Sequence, residues 1–222
     1  MAPATFEAVA DRNAGLIRKA LKGTVLLGKY AGSSPAAAIT TLVATGGQIE
    51  IPSTYESCGW IGEDGATFTK NTENSEIRGW GSAAVLRRDI TSEDNTVQFT
   101  ALETKRLTLE LKHRRDLSTT EVSAAGELKI DLLDRPDTMY WRVCTLAKDG
   151  VGSGLIYFAK VFHKAMVSEM GDEVWSDGDQ AITYDTTMTG EPDDVLGTIG
   201  TEFMFGPGML ARATEMGFTV AT

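Results

Sequence analysis

The stretch from Cys58 to Gly81 gathers residue types that could do chemistry. It contains one cysteine, two tryptophans and several carboxylates: Cys58, Trp60, Trp80, Glu63, Asp64, Glu73 and Glu76. A thiolate beside carboxylates can bind a metal ion, and a pair of carboxylates can act as general acid and base. Cys58 has no second soft ligand nearby, and the carboxylates are not spaced to converge. We therefore predict neither a metal site nor a catalytic site in this stretch.

The two histidines of the chain are poor candidates for a general base. His113 lies among Lys112, Arg114 and Arg115, whose charges disfavour its protonated form. His163 follows a strand-like Lys-Val-Phe run, where a structural histidine is the more common case.

Two acidic turns could hold calcium through carboxylate oxygens. The first contains Asp177 and Asp179, and the second contains Glu191, Asp193 and Asp194. Neither matches the twelve-residue calcium loop, and acidic turns with Gly or Pro are common without a metal. The chain also lacks a glycine-rich phosphate loop and a G-x-S-x-G elbow. We predict no enzyme, no metal and no cofactor.

Composition restricts the partners of the chain. Its 222 residues carry a formal net charge of −10, which disfavours specific nucleic-acid binding. Two cysteines are too few for a disulfide framework. No apolar run reaches the roughly 20 residues of a membrane span. The N-terminus does not resemble a secretion signal, so we expect no membrane and a cytoplasmic site of synthesis.

Patterning predicts a mainly β domain over residues 1–222. An N-terminal helix or arm covers about residues 1–22, a strand covers Thr24 to Tyr30, and a loop follows from Ala31 to Ala38. Because Asp-Gly favours tight turns, Glu63-Asp64-Gly65 is predicted as a hairpin tip. A second turn is predicted at Ser92–Asn95.

The remainder of the chain contains short strand-like segments bounded by Gly, Asp or Pro. This spacing is typical of an antiparallel sandwich or barrel. The segment from about Leu102 to Arg114 is ambiguous, since its leucines alternate as in a strand while its composition favours a helix. Residues 195–222 have no sustained period and are predicted to form an extended C-terminal arm.

Several linked motifs resemble the major tail tube protein of long-tailed bacteriophages (siphoviruses), particularly those that infect actinobacteria. They are GWIGEDG at Gly59–Gly65, EIRGWG at Glu76–Gly81, VLRRDI at Val85–Ile90 and TVQFTALET at Thr96–Thr104. The similarity extends from about Gly23 to Asp194. The chain departs from the family pattern at Ser57-Cys58, where the family often has Asp-Leu.

The resemblance implies two packed antiparallel sheets that form a sandwich or near-barrel, with one flanking helix at Leu102–Arg114. It also implies a structural virion protein that assembles into stacked hexameric rings, the tube through which DNA enters the host. Its partners would be other copies of itself, the tape measure protein and the terminator and tip proteins, with DNA passing through the lumen without specific binding. It would be located in the virion tail after assembly in the host cytoplasm.

Loops and exposed aromatic residues are the predicted assembly contacts. The predicted set is Trp60, Glu63, Asp64, Gly65, Trp80, Gly81, Ser33, Pro35, Phe203 and Phe205. Two other functions stay open on the residues alone. One is a different acidic β-sandwich virion module, such as a tail completion or decoration protein, and the other is a hydrolase or metal enzyme with an unrecognised site.

Overall fold

The computed structural model describes residues 5–30, 37–44, 48–178 and 181–221. Its strands are β1 (Lys22–Lys29), β2 (Glu56–Ser57), β3 (Ile61–Arg78), β4 (Val85–Ala101), β5 (Tyr140–Asp149), β6 (Ile156–Met170), β7 (Tyr184–Glu191) and β8 (Gly200–Phe205). Its helices are α1 (Phe6–Ala10), α2 (Arg106–His113) and α3 (Pro207–Arg212), with 3₁₀ turns at Ala14–Leu16 and Gly152–Gly154. No helix in these ranges is long and apolar enough to cross a membrane.

The strands of the described residues form one antiparallel sheet in the order β2-β1-β5-β6-β7-β4-β3. The eighth strand, β8, lies off this path and pairs with β6. Strand β6 has β5 along one edge, while its other edge pairs first with β8 and then with β7. The long β6 therefore joins the C-terminal segment to the body of the sheet.

The two ends of the sheet order are close in the chain, because only Cys58, Gly59 and Trp60 separate β2 from β3. The Cys58 N–H donates to the Val25 carbonyl of β1 at 3.0 Å, and the Leu102 N–H donates to the Trp60 carbonyl at 2.9 Å. The sheet consequently curls until β3 lies against β1. The predicted mainly β fold is confirmed. The strands form one continuous, unclosed sheet, whereas the resemblance had implied two packed sheets.

Helix α2 confirms the predicted flanking helix. Leu107 and Leu111, one turn apart, are both buried against the inner face of the sheet. That i, i+4 burial resolves the ambiguity of the leucine pattern, because a strand would have placed Leu107, Leu109 and Leu111 on one face. The helix ends where Arg114 adopts a left-handed conformation with φ of 47°.

A buried carboxylate fixes α2 to the sheet. The Glu110 side chain is fully buried, and its Oε1 accepts from Lys29 of β1 at 3.1 Å and from Arg106 at 2.9 Å. The same oxygen accepts the Leu117 N–H at 3.0 Å. The orientation of the helix is therefore set by ionic hydrogen bonds as well as by apolar burial.

Both faces of the curled sheet carry an apolar cluster. Because successive strand residues point to opposite faces, β5 directs Trp141 and Val143 to the inner cluster and Cys144 to the outer one. The loop residues Ile39 and Leu42 cover the outer cluster. The core thus extends through the sheet to both of its faces.

The predicted turn at Ser92–Asn95 is wrong, since these residues lie inside β4. They pair with residues 70–73 of β3, and Lys70 forms an ion pair with Glu93 at 2.9 Å. Turn propensity is a weak local preference, and a continuous ladder of hydrogen bonds with a cross-strand ion pair outweighs it. The chain reverses earlier, at residues 79–84.

The two terminal segments contain more structure than an arm. The N-terminal segment contains α1 and a 3₁₀ turn, and β1 begins at Lys22. The C-terminal segment contributes β8 to the sheet and then forms α3, whereas an extended arm was predicted there. Arg212 of α3 donates to the Gly15 carbonyl at 2.8 Å. The two segments are therefore in contact with each other.

Acidification below neutral pH is expected to lower the stability of the fold through His163, which is only 3% exposed. Burial, with a contribution from the Arg142 charge, holds the pKa of His163 below its usual value. The unfolded chain takes up this proton near pH 6.5, before the folded chain does. Stability from this group is therefore present above that pH and is lost as the pH falls through the folded pKa.

The measurement is the thermal midpoint of wild type and His163→Gln between pH 7.5 and 5. We expect the midpoint of the wild type to fall more steeply. The pKa of His113 is also lowered by burial, but His113 is present in both proteins and cancels in the comparison. Parallel curves for the two proteins would contradict the assignment.

Candidate assembly surface

An apolar cavity opens where the curled sheet fails to close, between the start of β3 and the pair β6 and β8. Its volume is about 740 Å³. Its apolar lining includes Val25, Ile61, Phe68, Phe158, Phe203 and Met204. A space of this size and character is typical of a binding pocket.

The rim of the cavity is a wide bulge in β3. Ile61 pairs with Ala101 and Ala66 with Phe99, so residues 62–65 of β3 face the single residue Thr100 of β4. Gly65 takes a φ of +71°, which a glycine adopts without strain. The predicted hairpin tip at Glu63-Asp64-Gly65 is therefore wrong. The Asp-Gly pair supplies the positive φ of a bulge, and the strand continues in the same direction.

The junction before the bulge presents Trp60 at the mouth of the cavity. Its backbone N–H donates to the Glu103 carboxylate at 2.7 Å, and its side chain is 76% exposed. Gly59, with a φ of +87°, makes this contact possible. A Cβ at Gly59 would lie 2.2 Å from the Glu103 carboxyl carbon. The Lys105 ammonium and the Trp60 N–H hold the pKa of Glu103 below its usual value.

The mouth of the cavity carries excess negative charge. Glu63 and Asp64 are exposed, and neither forms an ion pair with another described residue. Glu202 is paired with Lys160, whose ammonium also lies 4.5 Å from the centre of the Phe68 ring. The pair Lys160–Glu202 is neutral, and Lys22, which also lines the cavity, offsets one of the two carboxylates of the bulge, so the mouth keeps a negative net charge beside an apolar opening.

The second prominent surface is the outer half of the β3–β4 hairpin, here called the ribbon (residues 69–94). Strand β4 pairs with β7 only from Asn95 to Ala101. Beyond that point β3 and β4 have only each other as partners among the described residues. The ribbon therefore projects from the sheet, with its residues half-buried or exposed.

Trp80 and Gly81 form the tip of this ribbon. The Ser82 N–H donates to the Gly79 carbonyl at 3.0 Å, and Gly81 has a φ of +77°. The Trp80 side chain is fully exposed, at 107% of the reference area. An indole held in water at the tip of an ordered turn has a large apolar area available for a partner.

The ribbon near its tip carries an excess of arginine over carboxylate. Its charged side chains are Glu76, Arg78, Arg87, Arg88 and Asp89. They form ion pairs within the ribbon: Arg78 and Arg88 with Glu76, and Arg87 with Asp89. Three arginines face two carboxylates, so the tip has a net positive charge.

The predicted assembly residues thus fall into four groups. Trp60, Glu63, Gly65 and Phe203 line one cavity, with Asp64 in the bulge that forms its rim. Trp80 and Gly81 lie at the ribbon tip, and Ser33 and Pro35 lie outside the described residues. Phe205 was also predicted as an assembly contact, but its side chain is buried and stacks on Tyr157 with 5.1 Å between ring centres.

Comparison with known proteins identifies the family. Residues 10–187 match the family model described as phage tail tube protein. The chain belongs to the phage tail tube protein family. No curated protein matches it.

Among solved structures, the chain is similar to one titled "Cryo-EM structure of the anti-feeding prophage (AFP) baseplate, 6-fold symmetrised". The two are 12% identical, with a TM-score of 0.44, and the match covers 84% of this chain and 93% of that chain.

The residues first considered for chemistry have structural surroundings in this tail tube protein. Cys58 and Cys144 are free and buried, and burial raises the pKa of each thiol to about 12. Asp193 is buried against Arg142 at 3.1 Å. Asp179 lies outside the described residues, and within them no group of three or more His, Cys, Asp or Glu side chains could hold a metal.

Sequence reasoning missed that β8 forms one wall of the cavity. The only available signal was the alternation of Thr201, Phe203 and Phe205 with Glu202 and Met204, which is typical of a strand. The surrounding glycines obscured it.

Proposed function

We propose that this chain is the self-assembling subunit of a phage tail tube, in which hexameric rings stack to form the conduit for DNA. The family match over residues 10–187 carries this proposal. Its role would be structural and not enzymatic. The partners would be further copies of the chain, together with the tape measure protein and the terminator and tip proteins of the tail.

Two open strand edges supply the surfaces for ring formation. Strand β8 pairs only with β6, and the outer half of β3 pairs only with β4, among the described residues. An open edge presents unpaired N–H and C=O groups, which favour pairing with another chain. Edge-to-edge pairing between subunits would join the sheets of a ring into one barrel.

The negative charge of the chain is compatible with a passive conduit. Adsorption of DNA depends on cationic side chains that release counterions from the phosphates. A lumen surface with a net negative charge would let DNA pass without binding. A strongly positive lumen in an assembled ring would contradict this part of the proposal.

The test is electron microscopy with sedimentation velocity on purified protein over a rising concentration series. Six-fold rings or tubes are expected. A strict monomer at every concentration would overturn the proposal and favour a tail completion or decoration protein. Conversion of any compound in a substrate panel to a product, abolished by a chelator, would favour a hydrolase or metal enzyme.

The edge contact is tested with Met204→Pro. The Ile199 carbonyl accepts the His163 N–H of β6 at 2.9 Å, so odd-numbered residues of β8 bond to β6 and even-numbered ones direct their N–H outward. A proline at Met204 should remove an outward donor and reduce ring formation. Thr219→Pro, at an exposed position outside the strands, is the control and should assemble normally.

A further inference from the structure

We propose that the ribbon tip of one copy binds in the apolar cavity of a second copy, with Trp80 as the anchoring side chain. This inference rests on the proposed self-assembly and names the two surfaces that meet. Every chain carries both the ribbon tip that would insert and the cavity that would receive it. The family match assigns neither surface.

The ribbon cannot fill the cavity of its own chain. The cavity lies at the first residues of β3 and the tip follows its last residue, Arg78. At about 3.3 Å per residue, the distance from Ala66 to Arg78 along the strand is roughly 40 Å. A ribbon tip that binds in the cavity must therefore come from another molecule.

The two surfaces are complementary in apolar character. The tip offers the exposed Trp80 indole, with the exposed side chains of Ile77 and Leu86 on the adjacent strand ends. The cavity offers aromatic and aliphatic walls, including Phe68, Phe158 and Met204. A tryptophan that enters a well-formed pocket is the commonest kind of energetic anchor at protein interfaces.

The two surfaces are also complementary in charge. The unpaired carboxylates of Glu63 and Asp64 flank the mouth of the cavity, and the tip carries three arginines against two carboxylates. Docking would bring Arg87 and Arg88 near the bulge. Opposite charge on facing surfaces steers encounter and fixes orientation, and it makes the contact sensitive to salt.

A contact between two different surfaces is heterologous, so it does not stop at a dimer. Each copy that donates its tip retains a free cavity, and each copy that accepts a tip retains a free ribbon. Such contacts continue until a ring closes or a filament grows. This geometry is the one that a stacked tube needs.

The experiment separates donor from acceptor. Trp80→Ala removes the anchor and leaves the cavity intact, whereas Ala147→Phe fills the cavity from its wall and leaves the ribbon intact. Each variant alone is expected to raise the critical concentration for growth at least about 30-fold, the change that corresponds to loss of an interface hot spot. In an equimolar mixture, the tip of Ala147→Phe can enter the cavity of Trp80→Ala. The mixture should therefore form a complex with twice the mass of either variant alone and grow no further.

Trp175→Ala is the matched control, because Trp175 is another exposed tryptophan, at 78%, outside both surfaces. It should assemble as wild type does. If Ala147→Phe is not folded by thermal melting, the double reversal Glu63→Arg with Asp64→Arg replaces it. That variant should regain growth only when mixed with the reversal Arg87→Glu with Arg88→Glu.

The outcomes separate the two proposals. Wild-type protein that never assembles overturns the proposed function and this inference together. Wild-type tubes with an unchanged critical concentration for Trp80→Ala overturn the inference alone. A two-chain complex from Trp80→Ala mixed with Ala147→Phe, or renewed growth in the mixture of the two charge reversals, with neither partner assembling alone, supports the contact.

Discussion

Replacing Asp193 with alanine is expected to lower the free energy of unfolding by about 3 kcal/mol, the cost of breaking a buried ion pair from one side. Asp193 is only 1% exposed, and Arg142, its partner at 3.1 Å, is also buried. Without Asp193, the buried guanidinium would lose its carboxylate partner, although its bond to the His163 carbonyl at 2.8 Å would remain. Removal of the counter-ion from a buried charge is strongly unfavourable.

Asp193 also organises the turn that leads into β8. Its Oδ1 accepts the N–H groups of Val195 and Leu196, each at 2.8 Å, and its carbonyl accepts the Gly197 N–H at 2.8 Å. Loss of the side chain would leave two N–H donors of this turn without their acceptor. The position of β8, and with it one wall of the cavity, depends on this residue.

The effect is measured as the thermal midpoint and by urea unfolding. For a chain of this length, about 3 kcal/mol corresponds to a fall of roughly 10 °C. Asp194→Ala is the matched control. The Asp194 carboxylate is next to Asp193 in the chain, but it is exposed and lies 3.4 Å from Lys164 at the surface. Equal midpoints for the Asp193 and Asp194 variants would contradict the structural role of Asp193.

The stabilisation by Asp193 should also depend on pH. Burial raises the pKa of this carboxyl, but the N–H groups of Leu196 and Val195 and the Arg142 charge more than offset it, so the pKa lies below its usual value. The contribution is therefore complete above about pH 4 and is lost as the pH falls through the folded pKa. The difference in the free energy of unfolding between wild type and Asp193→Ala should therefore become smaller as the pH falls below about 4.

Replacing Trp141 with alanine is expected to cost about 3–5 kcal/mol, since it empties a large volume in the inner core. Trp141 is 1% exposed and belongs to the inner cluster, together with Val143 and Phe162. It pairs in register with Ala165 of β6 and Lys29 of β1, so the surrounding strands cannot move inward to fill the space.

Urea unfolding of Trp141→Ala against Trp175→Ala gives the cleanest comparison. The two substitutions delete the same side chain, and only the first removes it from a core. Trp141→Phe should recover part of the lost stability because it restores most of the apolar contact. A loss of stability for Trp175→Ala as large as that for Trp141→Ala would show that burial is not the cause.

Much of the fold can be predicted from local pattern. The apolar segment at Thr24–Tyr30 identified β1 within two residues, and the composition of residues 102–114, together with the family resemblance, identified α2. The family motifs predicted a tail tube protein, and the family match confirms it. The turns were harder to predict from the sequence. Asp-Gly at residues 64–65 and the segment Ser92–Asn95 both have turn propensity, but neither forms a hairpin turn.

The candidate site could be predicted only in part from the sequence. Trp60, Glu63 and Gly65 are close in the sequence, so their grouping followed from one motif. Phe203 joins them from the other end of the chain because β8 pairs with β6. Phe205 lies two residues further along β8, on the same face as Phe203, and is buried in the outer cluster.

The sequence by itself determined the β-rich composition, the negative charge and the motifs of the family, since these depend on residue types and short spacings. Only the tertiary structure decided that the two edges of one sheet meet without closing, that the glycines at residues 62 and 65 form a bulge, and that Trp80 lies at the tip of a ribbon. The physical reason is that pairing between distant strands adds many hydrogen bonds and buried contacts. Their sum exceeds the small local preferences of a turn dipeptide.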